Sequence, residues 1–440
     1  MNDFENIKLS KQLKKALDEQ GITTPTVIQK KSIPQMLAGN DVVGIAQTGT
    51  GKTIAYLLPI LRDLKYSDQR PPRILILVPT RELVVQVASE IEKLTTYMSV
   101  RTLSIYGGTN INTQKKAVYE GCDIVVATPG RLYDLAMTGL LRLKDIQKIV
   151  IDECDEMLNL GFRPQLQRIF DLLPTKRQNL MFSATITQDV DDLIATFFRK
   201  TEKIIAAPTG TPLSSITQLA YRAENFYTKF NLLKSLLESN ETIEKTFIFV
   251  KSKALADRLY DLLEQEFPEQ FGVIHSNKSQ NFRLRMVREF KEDKLRGIVA
   301  TDLVSRGIDI ENVSHVFNFD IPEQQEQYMH RIGRTGRVDQ QGVAISFITE
   351  KEESIFSAIE EYMNHIVEFS KLPEDVTISK ELIPEEEERD IHDAPTILEA
   401  SHSVGDGPKD TPSTKIKKKE NFRPRDKANK KVRKKRKRRK

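Results

Sequence analysis

The 440-residue chain is 39% hydrophobic and 29% charged, ordinary proportions for a globular protein, and it is long enough to bury two or three cores without disulfide or metal staples. Its two cysteines, Cys122 and Cys154, stand 32 residues apart with no CxxC pair, which argues against a zinc cluster or a disulfide framework and fits a reducing compartment. The net charge of +5 is uneven: from Lys415 to Lys440 there are 17 Lys/Arg against Glu420 and Asp426, a net of +15, so residues 1–414 sum to −10 and the basicity belongs to a phosphate-seeking terminal arm, not to a folded body.

At the N-terminus, Met1-Asn2-Asp3-Phe4-Glu5 has neither the basic nor the apolar stretch of a signal peptide. No window approaches the roughly 18 apolar residues of a membrane span, so no membrane is expected among the partners. Strands are predicted at 42–45 and 74–78, a helix at 81–94, then strands at 124–127, 149–151 and 180–182. These are continuous apolar runs rich in β-branched residues, as in a parallel sheet covered on both faces. The turn-rich Ala207-Pro208-Thr209-Gly210-Thr211-Pro212 reads as a linker. The rhythm then resumes, with strand candidates at 246–250, 271–274, 297–300, 315–319 and 344–349. The pattern is α/β twice over, the same architecture without a residue-level repeat. Order is expected to end near Leu372 and Pro373 or somewhat later. An acidic run at 385–388, a Gly/Pro/Ser/Asp-rich segment and the basic arm follow, with too little apolar surface to fold alone.

The first strand runs into Ala46-Gln47-Thr48-Gly49-Thr50-Gly51-Lys52-Thr53 and then a helix-like stretch. This is a P-loop with Ala where the general pattern begins with Gly. Small residues let successive backbone N–H groups curl around phosphate oxygens, and the helix N-terminus adds partial positive charge. Lys52 would reach the terminal phosphates, and the Thr53 hydroxyl can bind Mg2+. A glycine-rich turn that binds nothing is the bland alternative; the strand before and the helix after weigh against it. Further on, Asp152-Glu153-Cys154-Asp155 follows the strand at 149–151. Asp152 would hold Mg2+, directly or through water, and Glu153 would orient or activate the attacking water. The two motifs together say only NTPase; motors, GTPases and kinases of small molecules stay open.

With Ser183-Ala184-Thr185 and His330-Arg331-Ile332-Gly333-Arg334-Thr335-Gly336-Arg337 added, the chain resembles the DEAD-box RNA helicase family over about residues 1–370, with many motifs in the family's order and spacing. The resemblance implies two tandem RecA-like domains and a disordered basic C-terminal tail: a Q-motif region over 1–32, an ATP-binding domain over 33–206, a linker over 207–217, a C-terminal domain over 218–378 and an acidic, then basic tail over 379–440. Phe4 and Gly21-Ile22-Thr23-Thr24-Pro25-Thr26-Val27-Ile28-Gln29 resemble the Q motif. There Gln29 would hydrogen-bond adenine, an amide offering both donor and acceptor, while Phe4 would stack on the ring. A hydrophobic staple for the first helix is the alternative for Phe4. Ile22 stands where the family usually has an aromatic. Pro79-Thr80-Arg81-Glu82-Leu83, Gly107-Gly108 and Thr128-Pro129-Gly130-Arg131 resemble the RNA-contacting motifs of the first domain, through Thr80, Arg81, Gly108, Thr128, Pro129 and Arg131. Taken singly, each is equally a helix cap or turn; Thr80 could simply cap the helix at Arg81.

In the second half, Phe249-Val250-Lys251-Ser252, His275-Ser276 and Gln280-Asn281-Phe282-Arg283 match the fourth-motif region, and Ala300-Thr301-Asp302-Leu303-Val304-Ser305-Arg306-Gly307-Ile308-Asp309 the fifth. By resemblance, Ser252, Gln280, Arg283, Thr301 and Asp302 lie near RNA and Asp309 contacts the nucleotide ribose. Arg334 and Arg337 would be arginine fingers on the γ-phosphate. Ser183 and Thr185 would tie the acidic box to His330. One departure is Cys154 in place of the family's Ala. Eukaryotic mRNA-export members also carry Cys there, but they usually differ in the last motif, so a conservative small-residue swap in a bacterial-type member is the reading adopted.

The implied activity is ATP-dependent, cytoplasmic RNA unwinding with ATP and Mg2+ as cofactors. RNA of little sequence preference is the partner, with ribosome or ribonucleoprotein components beside it. An ATP-gated RNA clamp or chaperone would carry the same motifs, and a DNA helicase or translocase is disfavoured only through the resemblance. The basic arm reads either as a salt-sensitive RNA tether or as a nuclear-localisation signal.

Overall fold

A computed structural model describes residues 4, 7–47, 49–206, 215–240, 242–302, 313–336 and 341–387. Residues up to Glu387 form one compact unit that holds two sheet domains, and 388–440 lie outside the described residues, as do Thr48, Asp309 and Arg337. The first domain contributes strands β1 (Asp41–Ile45), β2 (Ile74–Leu77), β3 (Thr102–Ile105), β4 (Ile124–Ala127), β5 (Lys148–Ile151), β6 (Gln178–Ser183) and β7 (Thr201–Ile205). They form a parallel sheet in the order β3-β4-β2-β5-β6-β1-β7. The second contributes β8 (Ile216–Arg222), β9 (Thr246–Phe249), β10 (Phe271–Ile274), β11 (Gly297–Ala300), β12 (His315–Asn318), β13 (Gly342–Ile348) and β14 (Glu368–Ser370), in the order β10-β11-β9-β12-β13-β8-β14, again all parallel.

The continuous apolar runs explain the burial. Ile74 and Ile76 of β2 point into one apolar cluster with Val42, Ile124 and Val126, whereas Leu75 and Leu77 point into another with Val43, Val125 and Ala127. Successive side chains leave a strand on opposite faces, so a sheet covered twice needs no polar alternation. Each fully buried Val, Leu or Ile contributes roughly 1.5–3 kcal/mol relative to exposure. The helices that cover the faces carry the matching 3.6-residue stripe: Arg81–Leu94 buries Val84, Val87, Ala88, Ile91 and Leu94.

The strands without a continuous apolar run escaped the sequence reading. Thr102–Ile105 is an edge strand and largely half-buried, and Thr201–Ile205 is the opposite edge, with Glu202 and Lys203 exposed. The expected linker over 207–217 also ends too late. Ile216 and Thr217 already pair in register with β13, because Ile216 is buried in the second domain's core.

The second domain likewise runs past the expected boundary at 378, to Glu387. Ile383 is 2% exposed within the core that contains Phe226 and Phe230. Glu386 accepts from the backbone N–H of Phe226 at 2.7 Å, at the start of helix Phe226–Ser239, and from that of Ile383 at 3.2 Å. Asn225 donates to the Ser379 carbonyl at 2.6 Å, and the Ser379 N–H donates to Thr228 Oγ1 at 3.0 Å. One apolar anchor and a capping carboxylate order a stretch whose composition reads as tail. Among the described residues, no helix is long and apolar enough to cross a membrane.

A candidate nucleotide site and its contacts to the second domain

The sheet order assembles the site. In the first sheet β6 separates β1 from β5, so the loop after β1, the Ser183-Ala184-Thr185 segment ending β6 and the acidic box after β5 stand side by side at the carboxyl ends of the strands. That edge is where open α/β sheets bind their ligands. Two strand spacings, about 10 Å, separate β1 from β5, within reach of long side chains across the gap.

The loop after β1 depends on two left-handed glycines, Gly49 (φ 82°) and Gly51 (φ 85°), the latter starting helix Lys52–Asp63. A Cβ on Gly51 would lie 2.4 Å from Gln29 Nε2. That nitrogen donates to the Gly51 carbonyl at 3.0 Å, while Gln29 Oε1 accepts from the Thr26 N–H at 2.9 Å. The Gln29 amide thus braces the loop and caps its own helix, and it retains one N–H and one lone pair for a further partner. Ala46 donates its N–H to the Ser183 carbonyl at 3.1 Å, and Thr50 Oγ1 donates to the Gln47 carbonyl at 2.7 Å. Phe4 is 1% exposed and packs with Ile7, Leu9 and Leu13, a position that fits the packing alternative for this ring.

Lys52 is buried, its Nζ 2.9 Å from Glu153 Oε1. Burial alone would lower the ammonium, but Glu153, Asp152 and Asp155 outweigh it and hold the group above its ordinary value. Asp152 accepts from Tyr56 Oη on Oδ2 at 2.9 Å and from the Glu153 N–H on Oδ1 at 3.0 Å. Its carboxyl is pushed up to about 6, first by burial and then by Glu153, against the pull of Lys52 and these hydrogen bonds. Glu153 itself sits at φ 51°, a left-handed conformation that costs a non-glycine residue about 1–2 kcal/mol. Thr53 and Asp152 are hard oxygen donors, and such a pair suits a divalent cation that completes its shell with phosphate and water.

The Ser183-Ala184-Thr185 segment serves Asp155. Its N–H donates to Ser183 Oγ at 3.2 Å, and its Oδ2 accepts from the Thr185 N–H at 2.9 Å and Thr185 Oγ1 at 2.8 Å. Against burial, which raises it, His330, Lys52 and these hydroxyls hold the Asp155 carboxyl below its ordinary value. Ser183 and Thr185, expected to tie the acidic box to His330 through hydrogen bonds, hold Asp155 of the box, while the contact to His330 comes from Glu156. His330 Nδ1, on helix Gln325–Ile332 of the second domain, pairs with Glu156 Oε1 at 2.7 Å, one residue beyond the box. Burial lowers the His330 imidazolium, yet Glu156, Asp155 and Glu153 together raise it. Tyr56 and Glu156 carried no functional reading from the sequence. Tyr56 had a signal, since it lies four residues after Lys52 and three after Thr53 on one helix face. Glu156 had none without the fold.

The residues expected at RNA are distributed differently. Thr80 and Ser252 cap helices, accepting from Leu83 N–H at 3.3 Å and Leu255 N–H at 3.2 Å. Arg81 donates to the Gly107 carbonyl at 3.2 Å and lies over the Tyr106 ring. Gly108 sits at φ 78°, a conformation that favours glycine, and a Cβ there would meet only the tip of the Arg81 side chain, 2.5 Å from Nη1. Thr128 precedes helix Pro129–Met137, which starts with Pro129; Arg131 donates to the Thr109 carbonyl at 3.1 Å and Gln114 Oε1 at 3.2 Å. Gln280 reaches across to the first domain, donating to Glu82 Oε1 at 2.8 Å, and Arg283 stands 3.7 Å from the same oxygen. Thr301 is buried. The expectation that Asp302 faces RNA is corrected: its carboxylate takes a two-point bond from Arg331, 2.7 Å to each oxygen, and Arg331 is 1% exposed. Arg334 is buried just beyond helix Gln325–Ile332.

Comparison with known proteins gives matches in both domains. Residues 26–193 match the DEAD/DEAH box helicase family, and 228–339 match the helicase conserved C-terminal domain. The DEAD-box ATP-dependent RNA helicase CshA of Geobacillus kaustophilus is 38% identical over 373 residues, covering 85% of this chain and 79% of that protein. The ATP-dependent RNA helicase DbpA of Bacillus subtilis is 37% identical over 382 residues, 86% and 78% respectively. Among solved structures, Saccharomyces cerevisiae Dbp5 bound to RNA and ADP BeF3 is similar with a TM-score of 0.77 at 29% identity, over 84% of this chain and 96% of that one. Mss116p bound to ssRNA and AMP-PNP gives 0.76 at 28% identity, over 85% and 80%.

Proposed function

Because the chain belongs to the DEAD-box ATP-dependent RNA helicase family, two tandem RecA-like domains included, we propose that it hydrolyses ATP when RNA draws those domains together, and that the closure separates short duplexes. One observation carries this reading. A single turn, residues 152–156, meets the P-loop lysine on one side (Lys52 to Glu153, 2.9 Å) and the second domain on the other (Glu156 to His330, 2.7 Å). An event at the phosphates and a movement between domains therefore act on the same five residues. Such a shared element links two ligands, and the linkage is reciprocal.

In this reading Lys52 binds the β- and γ-phosphates, the loop amides from Ala46 to Thr53 cradle them, and Gln29 offers its remaining donor and acceptor to the adenine edge, beside Phe4. Thr53 and Asp152 hold Mg2+, which when bound neutralises phosphate charge. Glu153, released from Lys52 by the incoming phosphates, positions the attacking water. Arg334 and Arg337 of the second domain stabilise charge on the transferred phosphoryl group, and Asp309 takes the ribose. RNA lies along Thr80, Arg81, Gly108, Thr128, Pro129 and Arg131 in the first domain and Ser252, Gln280, Arg283 and Thr301 in the second. Backbone amides, hydroxyls and Arg side chains suit a sugar-phosphate strand without sequence preference. The basic arm adds a weak tether, and ribonucleoprotein components are the proposed targets. We place the action in the cytoplasm, on the support of two thiols, Cys122 and Cys154, that are buried and unpaired.

The test is ATP hydrolysis by the full chain alone, with single-stranded RNA and with single-stranded DNA. Strong stimulation by RNA alone is expected. Equal stimulation by DNA, or none by either, overturns the substrate assignment or the coupling.

A further inference from the structure

Tyr56 is a buried polar group that the proposed mechanism does not use. It sits on helix Lys52–Asp63, three residues after Thr53 and four after Lys52, so its side chain leaves the helix on the same face as theirs. The ring is 0% exposed and packs at 47° against Phe182 of β6, with centroids 5.4 Å apart. A phenylalanine would fill the same space. The hydroxyl is therefore not required for packing, and a buried hydroxyl costs stability unless it finds a partner. Here it finds one: it donates to Asp152 Oδ2 at 2.9 Å. Burial, and then the Asp152 charge, push the phenol well above its ordinary value, so it stays a neutral donor.

Thr53 lies on the P-loop helix and Asp152 follows β5, 99 residues away in the chain (152 − 53) and separated in the sheet by β6. Each could swing independently about its own side-chain torsions. Among the described residues, the only other donor to the Asp152 carboxylate is the backbone N–H of Glu153, on the opposite oxygen, Oδ1. Remove the phenol hydroxyl and Oδ2 loses its fixed direction relative to the helix that carries Thr53.

We propose that Tyr56 is a positioning residue for the divalent-cation site, its hydroxyl holding Asp152 Oδ2 against the helix that carries Thr53 so that both oxygens stay aimed at one ion. The inference rests on the reading of Thr53 and Asp152 as the cation's protein ligands. It assigns to Tyr56 a task that groups behind metal ligands commonly perform, and loss of such groups typically weakens metal affinity by about 10–100-fold.

The experiment uses the full chain and a fluorescent ADP analogue, titrated first in EDTA and then against Mg2+ at fixed nucleotide. Tyr56→Phe is expected to bind the analogue in EDTA as the parent does, and to need roughly tenfold more Mg2+ for half-saturation. Its melting curve in EDTA reports that the ring still packs. An unchanged Mg2+ half-saturation overturns the inference, and so does an equal loss of affinity with and without the metal, which would mean general damage to the loop. Thr53→Ala and Asp152→Asn run in the same titration separate the two levels. If they blunt the Mg2+ response and Tyr56→Phe does not, only the role of Tyr56 falls. If neither blunts it, the cation assignment falls and the inference with it.

Discussion

The nucleotide end of the first sheet and the residues expected to meet RNA handle polarity in opposite ways. Around Lys52, four carboxylates, Asp152, Glu153, Asp155 and Glu156, are buried together and satisfied largely by their neighbours: a lysine, a tyrosine, a threonine hydroxyl and a histidine. Burial makes each of these contacts matter, because an unpaired charge there is costly. Most of the RNA-motif residues instead hold ordinary structural posts as caps, turn glycines and half-buried arginines, and their polar atoms sit in partly exposed bonds. The contrast teaches that a motif can be functional in two senses. At the nucleotide, the fold exists to bring the residues together. Along the RNA path, residues already needed by helices and turns also present a surface.

The largest effect that would break this contrast concerns Glu153. Glu153→Gln keeps size and backbone but removes the base, so kcat is expected to fall by about 10²–10⁴ while ATP-dependent RNA binding persists in a filter-binding assay. Rapid turnover by this variant removes Glu153 from the chemistry. Next is Asp302, which contributes structure rather than a free carboxylate. Asp302→Ala strands a guanidinium that is 1% exposed, and a loss of roughly 3 kcal/mol in urea unfolding is expected, the low end for a broken buried pair because Asp302 is itself partly exposed. A variant as stable as the parent but defective in RNA binding would return Asp302 to the RNA path.

A comparable loss, about 2–4 kcal/mol, is expected for Ile383→Ala, since that side chain fills a core beyond the presumed end of the domain. Truncation after Glu387 should leave the unfolding curve in place and reduce RNA affinity most steeply at low salt; truncation after Leu372 should destabilise. Equal stability for both truncations would mean that residues 379–387 do not belong to the fold. The smallest effect concerns His330. Its charged form is favoured in the folded state, with Glu156, Asp155 and Glu153 facing it. The stability it contributes is complete below its unfolded value near 6.5 and is lost as pH rises through the higher folded value. Urea midpoints of the parent should therefore decline as pH rises above 6.5, and those of His330→Gln should be flatter. Parallel pH profiles would dismiss the ion pair.

Legibility in the sequence followed the range of the interaction. Val42, Ile74 and Ile124 announce buried parallel strands because burial on both faces leaves an unbroken apolar run. Lys52, Asp152 and Glu153 are legible because phosphate chemistry fixes residue types at short spacing. Thr102–Ile105 and Thr201–Ile205 were hidden, since edge strands carry polar residues and mimic loops. The acidic stretch at 379–387 hid Ile383 for the same reason, as one anchor makes no pattern. Tyr56 and Glu156 were hidden because their partners, Asp152 and His330, lie 96 and 174 residues away (152 − 56 and 330 − 156) and meet only through sheet order and domain contact. Asp302 was misdirected because its motif advertises RNA, while the two-point bond that holds Arg331 leaves no trace in spacing.

The left-handed backbone of Glu153 has a consequence for anyone who evolves this protein in the laboratory. Asparagine and glycine occupy that region more comfortably than glutamate. A library screened for heat tolerance alone would therefore be drawn toward Asn or Gly at position 153 and would enrich for well-behaved proteins that no longer turn over. Thermal survivors with a changed residue 153 should be counted as casualties, and a screen that protects the position needs an activity gate from its first round.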